Sequence, residues 1–432
     1  MSVSASLTPT HDPAGTSRLL RSEFPILSRE AHGQPLAYFD WAATAQKPAC
    51  VIEAIDAYYR QSNANVHRGL HKLAEEATQQ YEDARLKVSR FVGAPSAESC
   101  VFVRGATEGI NLVAHAATRP GNPLSLGKGD RVVISHMEHH SNIVPWQLAC
   151  EATGAELSVV PITDAGELDL EAFHEMLDER VKIVSVVWVS NALGTINPAK
   201  QIVEAAHGVG AKVLLDACQA APHPTHPEQA DVYPPLNVNQ LDCDFLVFSG
   251  HKLFGPTGIG VLFGKPELLA AMPPYQGGGE MISRVTFAKT EYADPPNRFE
   301  AGTPNIAGAI GLGAAVDWYT ALDHAALARH EADLLAYGTE KLEALGGVRI
   351  IGTAEHKASI LSFVVDGMHP YDLGPVLDRQ GVAVRTGHHC AEPVMDRFGV
   401  PATVRASLSF LNTTDELDRL AAGIEKAKAF FA

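Results

Sequence analysis

An α/β fold, with a mainly parallel sheet of the seven-stranded type in a large domain and a smaller α/β unit after it, is predicted by two features of the chain. From about Pro48 to about Asp317, short apolar β-branched runs alternate with amphipathic stretches of helical period, the pattern of a parallel sheet covered by helices. The 432 residues exceed one small domain, and 46% hydrophobic with 19% charged residues are ordinary values for a chain that buries a sizeable core.

The strands of the large domain are expected at Val101–Arg104, Arg131–Ser135, Ile183–Val189, Lys212–Asp216, Phe245–Ser249 and Gly260–Phe263. Each is short and largely apolar, and most run into polar or glycine residues. Thr107–Ala117, Asn142–Thr153 and Ala199–Gly208 repeat apolar residues at three- and four-residue spacing and are expected as helices between them. After Gly346, the runs Ile360–Val365, Pro370–Gln380, Val382–Arg385 and Val404–Phe410 and a closing helix Asp415–Phe430 form the smaller unit. The division expected is a large domain over 40–330 and a small domain from 1–39 with 331–432. Pro222–Pro235 and Gln276–Arg298, rich in proline and glycine, read as surface excursions.

Charge and composition exclude several roles. Fifty acidic against 34 basic side chains give a net charge of −16 with no basic stripe, which argues against nucleic acid and anionic lipid as partners. No run approaches the roughly 18 apolar residues of a membrane helix, and the opening MSVSASLTPTHDPAG lacks a secretory core, so a cytoplasmic location is expected. Its Ser/Thr content with Arg18 and Arg21 leaves an organelle transit peptide as the alternative, against which Asp12 argues. The six cysteines lack paired spacing and point to reduced thiols, with neither a metal site nor a disulfide framework.

The chemistry is concentrated where strands end. FLVFSGHKLFGPTGIG sets Lys252 just past a buried strand, at the edge where open α/β sheets bind ligands, and a desolvated lysine there can condense with an aldehyde. A solvated loop lysine is the alternative. AKVLLDACQ puts Asp216 directly after an apolar run, where a carboxylate needs a cationic partner such as a protonated pyridine nitrogen, unless it caps a helix. Gln219 follows three residues on, placed to reach a phenolic oxygen. FVRGATEGINLVAHAA runs a strand through Gly105 into a helix near Thr107, a phosphate site or an ordinary N-cap, with Ser249 and His251 as further donors. In SHMEHHSNIVPWQ, His139 follows a strand and could stack on an aromatic ring.

With those segments, YFDWAATAQKP, NANVHRGLHKLA, NALGT, YQGGGEMI, RFEAGTPN and VRTGHHCAEP complete an ordered series over nearly the whole chain. The series resembles the class V, fold-type I pyridoxal-phosphate enzymes, and closely the SufS-type (group II) cysteine desulfurases. The resemblance implies pyridoxal 5'-phosphate on Lys252, with His139 on the ring and serving catalysis, and Asp216 and Gln219 on its nitrogen and phenolate. It implies Thr107, Ser249 and His251 at the phosphate, and Thr303 reaching the phosphate of a neighbouring subunit, hence a homodimer. Arg405 is implied to grip the carboxylate of L-cysteine, a task suited to a planar fork, although the residue alone reads as a surface ion pair. Asn191, His67 and Arg385 fall on the substrate side. Cys390 matches the nucleophile, and the flanking Arg385, His388 and His389 favour thiolate.

The implied reaction converts L-cysteine to L-alanine and leaves a persulfide on Cys390, which is handed to a SufE- or SufU-like acceptor and an iron–sulfur scaffold. Selenocysteine lyase is the alternative enzyme. The chain departs from its relatives at Ala106, which removes one phosphate hydroxyl, at Trp41, and at Glu392, which adds negative charge two residues from Cys390. An insertion near Pro224–Asn239 and a longer connection over Arg119–Lys128 carry no assigned function.

Overall fold

Seven strands form the large sheet: β1 (Cys100–Val103), β2 (Arg131–Ser135), β3 (Glu156–Val160), β4 (Val181–Val187), β5 (Lys212–Asp216), β6 (Phe245–Ser249) and β7 (Gly260–Gly264). Their order across the sheet is β1-β7-β6-β5-β4-β2-β3. β6, β5, β4, β2 and β3 run parallel, and β7 lies antiparallel between β6 and β1. The computed structural model describes Ser17 and residues 19–431; the transit-peptide reading, and the first sixteen residues of the expected small domain, lie outside the described residues.

The central strands are buried on both faces, which is why they read as continuous apolar runs: all five residues of β6 and of β7 are buried. Edge strand β3, ELSVV, is mostly half-exposed and was not expected from the sequence, because no apolar run marks it. The expected strand Ile183–Val189 is shifted to Val181–Val187, and Val189 instead forms an isolated bridge with Ile196.

Helix α1 (Ala49–Gln61), α2 (Lys72–Phe91), α3 (Ala106–Ala117), α4 (Val144–Thr153) and α5 (Ala199–Gly208) flank this sheet, followed in the chain by α6 (Ile306–Thr320). α6 is buried around most of its circumference against α1 and α2, and approaches them through Gly311 beside Ile55 and Gly313 beside Ala84. Asn305 starts it by accepting from Gly308 N–H at 2.9 Å. α3 begins at Ala106, one residue before the expected start, and the expected helix from Asn142 begins as a single 3₁₀ turn, His140–Asn142.

The C-terminal sheet is antiparallel: β8 (Val348–Ile351), β9 (Ile360–Val365), β10 (Arg385–Gly387) and β11 (Thr403–Ser407), in the order β8-β9-β11-β10. It packs with α7 (His324–Ala344), α8 (Pro370–Asp378) and α9 (Thr414–Phe431) around Phe39, Leu361, Phe363, Leu377 and Leu420. The expected strand Val382–Arg385 divides at Val384. Val382–Ala383 pairs parallel with Ala37–Tyr38, whereas Arg385–Gly387 pairs with β11. One aromatic cluster, Phe24, Phe254, Trp318, Tyr319 and Phe410, joins the N-terminal segment, the large sheet's edge and the segment after β11. The excursion after Pro222 is anchored rather than loose: Tyr233 is buried, and its hydroxyl donates to Ala220 O and His223 O.

The junction of β1, β6 and β7 leaves no room for a side chain on Gly260. An added Cβ would lie 2.6 Å from Gly105 Cα and 2.7 Å from the Phe248 carbonyl oxygen, both backbone atoms. Gly260→Ala is expected to cost about 1–3 kcal/mol by overpacking. A thermal midpoint by circular dichroism equal to that of the unsubstituted protein would contradict this.

Candidate active site

Five chain segments leave the carboxyl ends of parallel strands, or the neighbouring end of β1, at one edge of the large sheet. β5 ends in Asp216, β6 in Ser249, β2 leads to His139, β4 to Asn191 and β1 to Thr107. They meet the β10 and β11 residues Arg385 and Arg405, with Cys390 beyond β10, around a cavity of about 150 Å³. Ten of the residues singled out from the sequence line it: Thr107, His139, Asn191, Asp216, Ser249, His251, Lys252, Arg385, Cys390 and Arg405.

Three others are placed elsewhere. Gln219 is buried, donates to Ala42 O at 2.7 Å, and lines a small void shared with Trp41 and Lys252. Thr303 lines a separate groove with Arg104, Glu108 and Asn305. His67 pairs with Glu82 at 2.9 Å, its backbone N–H donating to Thr78 Oγ1.

At one end of the cavity, Gly105 precedes α3 and provides no side-chain cap, so the first turn of the helix presents backbone N–H groups. Ala106 N–H donates to Ser249 Oγ at 2.9 Å, and the Thr107 and Ser141 hydroxyls lie 2.6 Å apart. Ser141, not anticipated from the sequence, adds a hydroxyl where Ala106 lacks one. In the middle, Asp216 is 3% exposed, its Oδ1 accepting Cys218 N–H at 2.9 Å. His139 Nδ1 accepts Ser141 N–H at 3.1 Å. Beneath it, Glu138 is fully buried; its carboxylate accepts from Ser135 Oγ, Asn142 Nδ2 and Val187 N–H.

At the far end, Arg405 is 1% exposed, and this overturns the surface-ion-pair alternative. Its Nη1 donates to Asn191 O and its Nη2 to Asp40 Oδ1, each at 2.9 Å, while its Nε, with no partner, is buried. Burial disfavours the charged forms of both: the Asp40 carboxyl is raised and the Arg405 guanidinium lowered, each offset in part by the other. Asp40 went unnoticed as a partner because 365 residues separate the two.

The donor set fits pyridoxal phosphate. An uncapped helix start with two hydroxyls suits a phosphate, a buried carboxylate suits a ring nitrogen, and Lys252 suits the aldehyde. Buried unpartnered atoms at Trp41 Nε1, His389 Nδ1 and Arg405 Nε lie around the same region. Among the described residues no cluster of three or more metal-ligating side chains occurs, and no helix is long and apolar enough to cross a membrane.

A sheet-edge lysine facing a buried carboxylate, with a helix start for phosphate, defines a fold-type I pyridoxal-phosphate-dependent transferase. Residues 37–420 match the aminotransferase class-V family, and the chain belongs to that family. It is 52% identical to a cysteine desulfurase of Synechococcus elongatus over 94% of this chain and 63% of that one, so it spans under two thirds of that relative's length. It is 48% identical to a probable cysteine desulfurase of Vibrio cholerae over 94% of this chain and 97% of the relative. The crystal structure of the cysteine desulfurase CsdA from Escherichia coli superposes with a TM-score of 0.86 at 36% identity, covering 98% of this chain and all of that one.

Burial sets the acid behaviour of the site. Burial and then Lys252 push His139 down from 6.5 to about 4; burial, Lys252 and Lys47 take His251 to about 4; burial, Arg405 and Arg385 take His389 to about 2. Below about pH 6.5 the unfolded chain binds protons that these native rings refuse, so their contribution to stability is lost as the pH falls through that window. Glu138 acts oppositely. Burial raises it from 4.5 to about 7, so its proton stabilises the native state below 4.5 and that contribution fades as the pH rises to about 7. Urea midpoints measured from pH 7 to 4.5 are expected to fall less steeply in His389→Gln and more steeply in Glu138→Gln than in the unsubstituted protein; unchanged slopes would refute the assignment.

Proposed function

We propose that the chain is a cysteine desulfurase of the SufS type, which transfers sulfur from L-cysteine to Cys390 and releases L-alanine. The observation that carries the reading is that Lys252, Asp216, Arg405 and Cys390, from distant parts of the chain, line one cavity. Its support from relatives is the name cysteine desulfurase at about half identity over most of the chain.

Bound at this site, pyridoxal phosphate supplies an aldehyde for the substrate amine and a ring that withdraws electrons from its Cα. Thr107, Ser141, Ser249, His251 and the first N–H groups of α3 would hold the phosphate, His139 would lie against the ring, Asp216 would keep a proton on the ring nitrogen, and Gln219 would serve the phenolate. Arg405, with Asn191 and Arg385 beside it, binds the substrate carboxylate. Lys252 removes the Cα proton and returns it. Cys390 attacks as thiolate: a new S–S bond forms, the substrate's Cβ–S bond breaks with its electron pair left on carbon, and that carbon takes a proton to become the alanine methyl.

The same reading includes a homodimer. Thr303 and His67 lie away from their own chain's cavity, which supports assigning Thr303 to the phosphate of a partner subunit. It divides the chain into the large domain, 40–330, and a small domain, 1–39 with 331–432, that carries the Cys390 loop. The persulfide is passed to a SufE- or SufU-like acceptor and onward to an iron–sulfur scaffold in the cytoplasm, a compartment suited to the six free cysteines.

With L-cysteine, the protein is expected to release alanine and the Cys390 peptide to gain one sulfur by mass, while Cys390→Ala gains none and releases no alanine from cysteine. Alanine from both proteins would move the assignment to a lyase such as selenocysteine lyase. Arg405→Lys is expected to raise KM for L-cysteine about 10–100-fold, the worth of a charge-assisted hydrogen bond. An unchanged KM would remove Arg405 from the carboxylate.

A further inference from the structure

The turn that carries Cys390 is strained. His389 and Cys390 are consecutive non-glycine residues in the left-handed region, at φ 54° and 56°. Such residues persist only where their surroundings over-determine them. The carbonyls of both are held from outside the loop: Asn191 Nδ2 donates to His389 O and the His140 backbone N–H to Cys390 O, each at 2.7 Å. His389 Nε2 lies 2.8 Å from Thr403 Oγ1 on β11.

Among the described residues, His140 is the one that grips this turn twice. Besides its backbone contact, its ring Nε2 accepts the Glu392 N–H at 3.1 Å. It therefore braces the C-terminal side of Cys390 at two points from the 3₁₀ turn His140–Asn142, whose preceding residue is His139, while Asn191 holds the N-terminal side. His136, on the same connection, adds a contact of its Nε2 to Pro393 O at 3.2 Å. The Cys390 loop is thereby fastened to the large-sheet edge and not merely to the small sheet that bears it.

We propose that His140 is a positioning residue for Cys390: its backbone N–H and its ring acceptor together hold the Cys390–Glu392 turn over the cavity. An Nε2 that carries a proton can only donate, so it cannot receive the Glu392 N–H. A thiol that must take sulfur inside a cavity and give it up outside requires a turn that is held but releasable. That purpose rests on the desulfurase reading; the brace itself does not.

The test compares His140→Phe, which loses the ring acceptor, with His140→Gln, whose amide oxygen reaches the place of Nε2 and accepts. Backbone hydrogen exchange of the peptide 386–394, corrected for its intrinsic rate, is measured at about pH 8 in cofactor-loaded protein without substrate. The Glu392 amide is expected to lose protection in His140→Phe by about fivefold, the factor one net hydrogen bond is worth. His140→Gln should keep the protection of the unsubstituted protein. Alkylation of Cys390 at pH 8 should be faster in His140→Phe than in His140→Gln. Full protection in His140→Phe, or a loss in His140→Gln equal to that in His140→Phe, overturns the proposal. If His140→Phe fails to fold, His140→Leu takes its place in the comparison. Failure to release alanine would sink the desulfurase reading and leave the exchange result standing.

Discussion

A carboxylate, an ammonium and two guanidinium groups share a cavity of about 150 Å³ walled by buried strands, and the cost of holding charge there governs the architecture around it. Asp216 ends β5, where the sheet has already excluded water. Arg405 lies on β11 with 1% of its surface exposed and is tied to Asp40 from a segment at the other end of the chain. Because neither sheet supplies all of these charges, the site exists only while the two are docked. The aromatic cluster of Phe24, Phe254, Trp318, Tyr319 and Phe410 supplies apolar area at that junction.

Much of this was legible beforehand where a residue announces itself through its local run. Lys252 after FLVFSG and Asp216 after VLL stand at strand ends because a buried parallel strand must be apolar until it reaches the edge. The sheet's six buried strands were visible for the same reason, and the half-exposed β3 was not. Arg405 shows the limit: its strand TVRAS carries no sign of being buried, and its counter-ion Asp40 is remote in sequence. Ser141 escaped notice because its role depends on Thr107, brought to 2.6 Å by a helix–turn contact that no spacing encodes. Placing Gln219, Thr303 and His67 outside the cavity likewise required coordinates.

The histidines divide by what surrounds them. His139, His251 and His389 are driven neutral by burial among cations, so they serve as shapes and hydrogen-bond partners. Glu138 beneath His139 is the converse, a carboxyl inclined to keep its proton inside a network of Ser135, Asn142 and Val187. Neutral groups of both kinds line and support the cavity without adding to its charge.

The Asp40–Arg405 pair has a consequence for how the guanidinium is aimed. With its guanidinium already balanced by a carboxylate of the same chain, the buried cation is compensated without solvent, and Nε is the donor left open. Asn191 O and Asp40 Oδ1 fix the plane of the fork from its two Nη atoms, so the direction of that open donor is set in advance.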